Sequence, residues 1–447
     1  MSDYKLPPIR DRLHDEPEPE PESSRSKIRP IWIIVLVAAL GFSVAFLILT
    51  LSGSSLTELS VPSLGKIDDL SRIAFISSDG QLGIISPDGS DLRMLTDDER
   101  TYSFPAWAPD SPTVAVIGSS LQGDGIYVSE DQPDAELRQL YSHPEQGPQY
   151  HFWSPDGESL SFIAGHRQGI ALHVVPEDGI GGSQVVSIGS TSFFWDWMPD
   201  SDRVLIHTGF TGDPAAETRL AIVTVRGEMD ETEVIGPGFF QTPAVAYDGV
   251  HYAYASVDPI GLRWLTVHLT ENGFTQWLQP HLGIAAIGWS PTDLQLAYIS
   301  PPDNRTTYYG SMKLYDLEQD DFRELVDRTV LAFFWAPDGS SIAYVTLENF
   351  EQGAERNVVE LGLWVVNPDD GQERQLLSFQ PTDVFIDQLL PFFDNYAQGH
   401  SIWAPDSHAV VIPVIDEQGR NQITVVPIDG SDPSTIAEGV AASWSRY

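Results

Sequence analysis

One short motif recurs along most of the chain and constrains its fold more than any other feature. Six copies begin with tryptophan and continue to a proline and an Asp or Thr, starting at Trp107, Trp153, Trp197, Trp289, Trp335 and Trp403. An apolar run such as 342–345 follows each copy. Proline fixes φ, Asp or Ser bonds back to the turn backbone, and glycine accepts positive φ. Each motif therefore predicts a β-turn between two strands, with its tryptophan packed between neighbouring sheets.

Two further copies are degenerate. Asp248 and Gly249 precede another apolar run, which places Val245 where the tryptophan is expected. The chain ends just after Trp444, in half a motif with no strand behind it, whereas the first apolar run, 72–76, has no motif in front of it. We therefore expect the last strand to pair beside the first and so to join the two ends of a ring.

The spacing of these copies predicts a β-propeller. The motif positions 107, 153, 197, 245, 289, 335, 403 and 444 lie 41 to 48 residues apart, except for one interval of 68. Repeats of roughly 40–50 residues are typical of propeller blades. The sequence therefore predicts an all-β domain over 70–447, an eight-bladed β-propeller with seven blades as the alternative.

The repeated motif resembles a known family. Tryptophan, Ser or Ala, proline, aspartate and Gly or Ser, followed by a run such as Ile342-Ala343-Tyr344, is similar to the TolB-type repeat, also called the WD-like or PD repeat. Similar repeats occur in the propellers of prolyl-oligopeptidase-type peptidases. The resemblance covers about 380 residues and implies the fold rather than a function. TolB-type proteins are six-bladed and soluble and have an extra domain. This chain is instead expected to have eight blades, a membrane anchor and no extra domain.

The sequence carries no motif for covalent or nucleotide-driven chemistry. It contains no G-x-S-x-G elbow, H-E-x-x-H, P-loop or G-x-G-x-x-G. With no cysteine, a thiolate zinc site and a cysteine nucleophile are excluded. The motif aspartates recur once per repeat, which favours turn capping over catalysis. We therefore predict no catalytic residue, no metal site and no cofactor.

Four residues are candidates for a ligand site in the central channel. The inner strand of each propeller blade lines that channel, and it should run just ahead of each motif tryptophan. His151, Trp195, Asp196 and His400 occupy such positions, where imidazole, indole and carboxylate groups could bind a ligand or a cation. The alternative is that the aromatic rings pack between blades and the histidines bond to water or backbone.

The long interval carries an insertion of about 20 residues around 375–400, and insertions of this length are often functional. Its apolar residues would share much of one side if it were helical; they are Phe385, Leu389, Phe392, Phe393 and Tyr396. We predict a lid or a partner-docking element across one face of the disc. The alternative is that the segment packs on its own blade and fills a groove.

The residues before the propeller predict a membrane anchor. Residues 1–29 contain alternating proline and glutamate and are predicted to be a disordered tail. Residues 31–51 hold no charge and, as a helix, would span about 31 Å, so that 30–51 is predicted to be a transmembrane signal anchor and 52–69 a linker. Arg25, Lys27 and Arg29 precede the span, which by the positive-inside rule predicts a cytoplasmic N-terminus and an extracytoplasmic propeller.

Charge narrows the choice of partner. With 64 acidic and 24 basic residues the chain has a net charge of −40, which argues against nucleic acid and favours cationic partners or divalent ions. The sequence thus predicts a single-pass cell-membrane protein whose propeller is a non-catalytic protein-binding or assembly module, with a protein partner on one propeller face. The alternatives are an enzyme at the channel mouth, a lyase or hydrolase, or a ligand sensor.

Overall fold

A computed structural model describes residues 71–189, 193–209, 219–226, 231–234, 241–270, 273–303, 309–351 and 358–446. Their regular structure is almost entirely β-strand, in sheets built from consecutive antiparallel strands, which is the all-β architecture of a propeller. The predicted tail, membrane span and linker, 1–29, 30–51 and 52–69, lie outside these residues. Within the described ranges, no helix has both the length and the apolar character needed to cross a membrane.

The first sheet holds both the first and the last strand. Strand β1 (Ile73–Ile76) pairs with β2 (Leu82–Ile85), which is followed by β3 (Arg93–Met94), and on its other side with β30 (Ala441–Trp444). Ile73 lies opposite Trp444 in this register. The expected pairing of the last strand with the first is therefore confirmed.

Four more sheets consist of four consecutive strands each. The second and third are β4 (Thr101–Trp107), β5 (Thr113–Ser120), β6 (Gly123–Glu130) and β7 (Arg138–His143), then β8 (Pro148–Trp153), β9 (Ser159–His166), β10 (Gly169–Pro176) and β11 (Gln184–Gly189). The fourth and fifth are β12 (Phe193–Trp197), β13 (Arg203–Thr208), β14 (Arg219–Thr224) and β15 (Glu231–Val234), then β16 (Ala244–Val245), β17 (His251–Val257), β18 (Arg263–Leu269) and β19 (Thr275–His281).

The remaining strands form one continuous ten-stranded sheet. Its strands are β20 (Ala286–Trp289), β21 (Gln295–Ile299), β22 (Gly310–Asp316), β23 (Asp321–Trp335), β24 (Ile342–Glu351), β25 (Val358–Val366), β26 (Glu373–Pro381), β27 (Ala409–Ile415), β28 (Asn421–Pro427) and β29 (Ser434–Glu438). The long strand β23 pairs with β22 through its first part and with β24 through its last. β26 likewise pairs with β25 and, at Gln380 and Pro381, with β27.

The motif tryptophans join neighbouring sheets through one repeated hydrogen bond. Five of the motif indoles donate through Nε1, over 3.0–3.1 Å, to the carbonyl oxygen of the residue just before the preceding motif position. The donor and acceptor pairs are Trp107 to Ser443, Trp153 to Ala106, Trp289 to Ala244, Trp335 to Gly288 and Trp403 to Phe334. Because Ala244 takes part in this series, Val245 does occupy a motif position. The inner strands therefore lie side by side in one register.

The motif aspartates cap their turns, as predicted. A side-chain oxygen of Asp338 accepts a hydrogen bond from the backbone N–H two residues later, at 2.9 Å, and Asp156, Asp200 and Asp406 do the same. The next motif residue has positive φ whether it is Gly339, at 74°, or Ser407, at 62°. The motif is thus a turn whose residues are selected by backbone geometry.

Candidate functional site

The insertion folds into three short helical pieces placed end to end. A π-helical turn (Phe385–Leu389) leads to a 3₁₀ turn (Leu390–Phe392), and helix α1 (Phe393–Gly399) follows. The insertion leaves β26 and returns the chain to the motif at Trp403. It therefore stands at the entrance to an inner strand.

Helix α1 lies at the axis of the ring. It contacts the inner strands β8, β20 and the end of β23, which belong to separate parts of the ring. Tyr396 stacks on Phe104 of β4 with ring centroids 5.3 Å apart, and it meets Tyr150 of β8 edge-on at 5.6 Å. On its other side Phe393 packs against Phe333 at 5.4 Å. One short helix can touch strands so far apart only near the centre, so α1 lies at the central axis.

The five apolar residues predicted for partner docking are mostly turned inward. Phe385, Phe393 and Tyr396 are buried, with exposed fractions of 2%, 1% and 9%, and Leu389 is half-buried. Phe392 keeps 47% of its surface exposed. Most of the apolar side chains of the insertion are therefore packed against the propeller rather than presented to solvent.

The two predicted histidines come together beside this helix. His400, which follows α1, has its Nδ1 3.0 Å from the carbonyl oxygen of Pro105. His151 on β8 is buried, and neither of its ring nitrogens has a hydrogen-bond partner among the described residues. Burial, with a smaller contribution from His400, lowers the pKa of His151 to about 3. Burial also lowers the pKa of His400 to about 4, so that both rings are neutral at neutral pH.

Trp195 is packed between sheets, as the alternative interpretation held. Its side chain is fully buried, and its ring stacks on that of Tyr150 at 4.9 Å. Its Nε1 donates to the hydroxyl oxygen of Ser161 over 2.8 Å, and Trp197 donates to the same oxygen over the same distance. Ser161 therefore serves two indoles at the junction between β9 and β12.

Asp196 is tied to the backbone of the next sheet. Its Oδ2 accepts a hydrogen bond from the N–H of Val245 over 2.7 Å. Because Val245 stands in a tryptophan position, this junction has no indole donor, and the carboxylate supplies the connection instead. Asp196 remains partly accessible to solvent although protein surrounds it. Burial raises its pKa to about 7, against the opposing effect of the N–H groups of Val245 and Trp197.

A second carboxylate lies on the helix itself. Burial raises the pKa of Asp394 to about 6. The neighbouring Asn395 is 1% exposed. Within the described ranges, no group of three or more His, Asp or Glu side chains is arranged to hold a metal ion. The axis thus contains aromatic rings with a few buried polar groups between them.

One exposed feature was not found from the sequence. The last five residues of β24, 347–351, are all exposed, and the facing residues of β25, 358–360, are exposed or half-buried. We call these two stretches the exposed ribbon. The apolar run 342–345 continues into the mixed polar and apolar residues 346–351, which was the available signal. The extra length of this interval was assigned to 375–400 alone.

No protein-family model and no curated protein matches the sequence. Solved structures match it in fold. The chain is similar to a dihydro-heme d1 dehydrogenase, NirN, solved in complex with DHE, with 13% identity, 87% of this chain and 77% of that chain covered, and a TM-score of 0.56. It is also similar to prolyl endopeptidase, with 12% identity, 77% and 50% covered, and a TM-score of 0.51.

The fold is a β-propeller. The chain also matches TolB from Acinetobacter baumannii, with 14% identity, 72% and 65% covered, and a TM-score of 0.38. It thus spans half the length of the prolyl endopeptidase chain and about two thirds of that TolB. Identities this low establish the architecture alone, so that a function has to be argued from the residues of the site.

Proposed function

We propose that this protein is a non-catalytic binding or assembly module, an eight-bladed propeller held at the cell membrane by one N-terminal helix. The propeller lies on the extracytoplasmic side and binds a protein partner on its surface. The observation that carries this proposal is helix α1 in the central channel, because it occupies the space where a channel enzyme would take its substrate.

Strand order supports the count of eight blades. Five sheets have four strands each. The ten-stranded sheet divides at β23 and β26, because each of these strands pairs at its two ends with different neighbours. That division gives three more blades, the last with its inner strand reduced to a single bridge between Trp403 and Val410. The eight motif positions of the sequence correspond to these eight units.

Burial of the candidate ligand residues supports a surface function. His151, Trp195 and His400 are exposed by less than a tenth, so that a ligand would have to displace α1 to reach them. No specific observation at these residues favours the alternatives of a channel-mouth enzyme or a ligand sensor. A propeller whose centre is filled by its own side chains is a rigid support, and its function falls to its outer surface.

Capture of a partner tests this function. The full-length protein in detergent is immobilised, exposed to solubilised envelope extract from its own source, crosslinked, and analysed by quantitative mass spectrometry. A second bait consisting of residues 1–69 alone is the control. We expect a reproducible partner on the full chain that is depleted on the control. Equal recovery on both baits, or no partner on either, would overturn the proposal.

Fractionation tests the anchor. The uncharged segment 31–51 should keep the full chain in the membrane pellet after alkaline carbonate treatment, whereas a chain that begins at residue 70 should be released. Protease added to intact cells should digest the propeller from outside once the outer permeability barrier is opened. Release of the full chain by carbonate would rule out the spanning helix.

A further inference from the structure

The β24 strand of the exposed ribbon has both of its faces in solvent. In β24 the five residues 342–346 are buried and the five residues 347–351 are exposed, a change that occurs within one continuous strand. A strand on the surface of a sheet normally alternates between buried and exposed residues. Five exposed residues in a row therefore mean that this end of the hairpin projects beyond the packed sheet.

One edge of the ribbon is open. β23 pairs with β24 as far as Val330 opposite Thr346 and no further. Beyond that point β24 continues to pair with β25, with Asn349 opposite Glu360 and Glu351 opposite Val358. Among the described strands, none pairs with 347–351 on the β23 side. Such an edge presents unpaired N–H and C=O groups to which another chain can add as a strand.

The base of the ribbon is held firmly. The bulged residue Glu348 accepts hydrogen bonds at one oxygen, from the Thr346 hydroxyl over 2.7 Å and from Trp364 Nε1 over 3.2 Å. The guanidinium of Arg328 lies 3.8 Å from the centre of the Trp364 ring and pairs with Glu373 at 3.1 Å. Binding to a strand that is already ordered costs less conformational entropy than binding to a free loop.

Gly362 makes this arrangement possible. A Cβ at that position would stand 2.2 Å from the Glu348 carboxylate oxygen and 2.6 Å from Trp364 Nε1. Only glycine leaves room for the two side chains to meet over the backbone. The projecting strand is thus fixed at its base by close packing.

The side chains of the ribbon define the chemistry of an occupant. Leu347, Phe350 and Val358 expose 50%, 54% and 41% of their surfaces. The charged side chains among these residues are Glu348, Glu351 and Glu360, and Arg328 beneath them is already paired. Apolar contacts with acidic neighbours favour a segment that carries apolar and basic residues.

A second copy of this chain fits poorly on the same edge. Pairing two ribbons would bring Glu348 and Glu351 of one against those of the other, and each chain has a net charge of −40. Like charges opposite each other destabilise a strand pair. The acidic residues and the bulge at Glu348 are also devices that keep an exposed edge from pairing with itself.

We propose that the exposed ribbon is the docking site for an extended segment of a partner protein in which basic and apolar side chains alternate. The segment adds as a strand to the open edge of β24. Its backbone bonds to residues 347–351, its apolar side chains contact Leu347 and Phe350, and its basic side chains face Glu351. This inference rests on the proposed protein-binding function and names the surface and the partner chemistry.

A short fluorescent peptide of alternating lysine and valine is the probe, with a peptide of alternating glutamate and valine as its counterpart. Binding to the full-length protein in detergent is followed by fluorescence anisotropy. The test variant combines Phe350→Ser with Glu351→Lys. Its matched control combines Leu121→Ser with Glu438→Lys, which makes the same change of charge and apolar surface at exposed positions outside the ribbon.

We expect the basic peptide to bind and the acidic peptide not to bind. The ribbon variant should weaken binding by about tenfold or more and the control by less than about twofold. All three proteins should show the same circular dichroism, because every changed residue is exposed. Absence of binding, or equal weakening in both variants, overturns this inference. The capture experiment judges the protein-binding function separately, and a partner retained by the ribbon variant would leave that function standing elsewhere on the surface.

Discussion

Six junctions between neighbouring inner strands of this ring are joined in two chemically different ways. At five junctions a neutral indole N–H donates to a backbone carbonyl, as from Trp289 to Ala244. At the junction between β12 and β16 the tryptophan is replaced by Val245, and the carboxylate of Asp196 accepts from its backbone N–H. An indole brings a large apolar ring and a bond that pH does not alter. A carboxylate brings no ring, and its charge responds to pH.

This difference shows how the ring keeps a junction when one motif tryptophan is missing. Without the indole, β16 is only two residues long. The substituted position still donates and the residue just before Trp197 still accepts, but the donor is now the backbone N–H of Val245 and the acceptor is the side-chain carboxylate of Asp196. The predictions that follow test whether the indole junctions are the stronger ones and whether the Asp196 junction alone weakens as pH rises.

The largest effect is expected at an indole junction. Trp289→Ala removes an 8% exposed ring and its bond to Ala244, and should lower the free energy of unfolding by about 3–5 kcal/mol. Urea denaturation followed by circular dichroism measures this. Val245→Ala at the other junction should cost only about 1 kcal/mol. Similar losses in the two variants would contradict the idea that the indoles hold the ring.

The axial histidines should make stability rise with pH in the acid range. The pKa of His151 is lowered to about 3 from an ordinary value near 6.5, so that between these values the unfolded chain binds more protons than the folded one. Its contribution is complete above pH 6.5 and is lost as pH falls toward 3. His151→Gln should reduce the slope of unfolding free energy against pH by up to about 1.4 kcal/mol per pH unit over that range. An unchanged slope would mean that His151 is accessible to solvent.

The loss of unfolding free energy at the Ser161 junction should lie between the losses expected for Trp289→Ala and Val245→Ala. Ser161→Ala leaves the buried N–H groups of Trp195 and Trp197 without their acceptor, and should cost about 2 kcal/mol. Thermal unfolding at pH 7 measures the loss. Ser159→Ala on the same strand is a nearby comparison. A loss below about 0.5 kcal/mol would show that other groups accept from the two indoles.

The smallest effect on stability is expected at Asp196. There the free energy of unfolding should fall as pH rises, whereas the axial histidines should make it rise. Its pKa is raised from 3.8 to about 7, so that the folded state binds more protons between these values and the contribution of Asp196 to stability declines as pH rises through 7. Asp196→Asn keeps an acceptor for the Val245 N–H without a charge. The variant should therefore match the natural protein below about pH 4, gain on it as pH rises from 4 to 7, and be more stable by about 1–2 kcal/mol at pH 8. A variant that is less stable at both ends of this range would show that the charge itself strengthens the junction.

The sequence was sufficient to predict the ring of strands, but it was not sufficient to predict how the residues at the centre of the ring are arranged. Turn chemistry at motifs such as 335–339, their spacing, and the incomplete copies at the two ends predicted the propeller and the pairing of β1 with β30. These features depend on contacts between neighbours in the chain or on repetition. The contacts of the predicted channel residues could not be derived from the sequence, because His151 and His400 meet only when strands far apart in the chain converge. Trp195 likewise takes its role from Ser161 on another sheet.

The sequence by itself determined the strands, the turns and the closed ring, because each repeat encodes the same local geometry and repetition leaves few ways to bury the apolar faces. Tertiary structure alone decided that the insertion enters the axis, with Phe393 and Tyr396 against the inner strands β4, β8 and β23. It also decided that Asp196 replaces a missing tryptophan and that β24 projects beyond its sheet. These outcomes depend on which surfaces are left uncovered after the ring has closed, and that is a property of the whole packed assembly rather than of any segment.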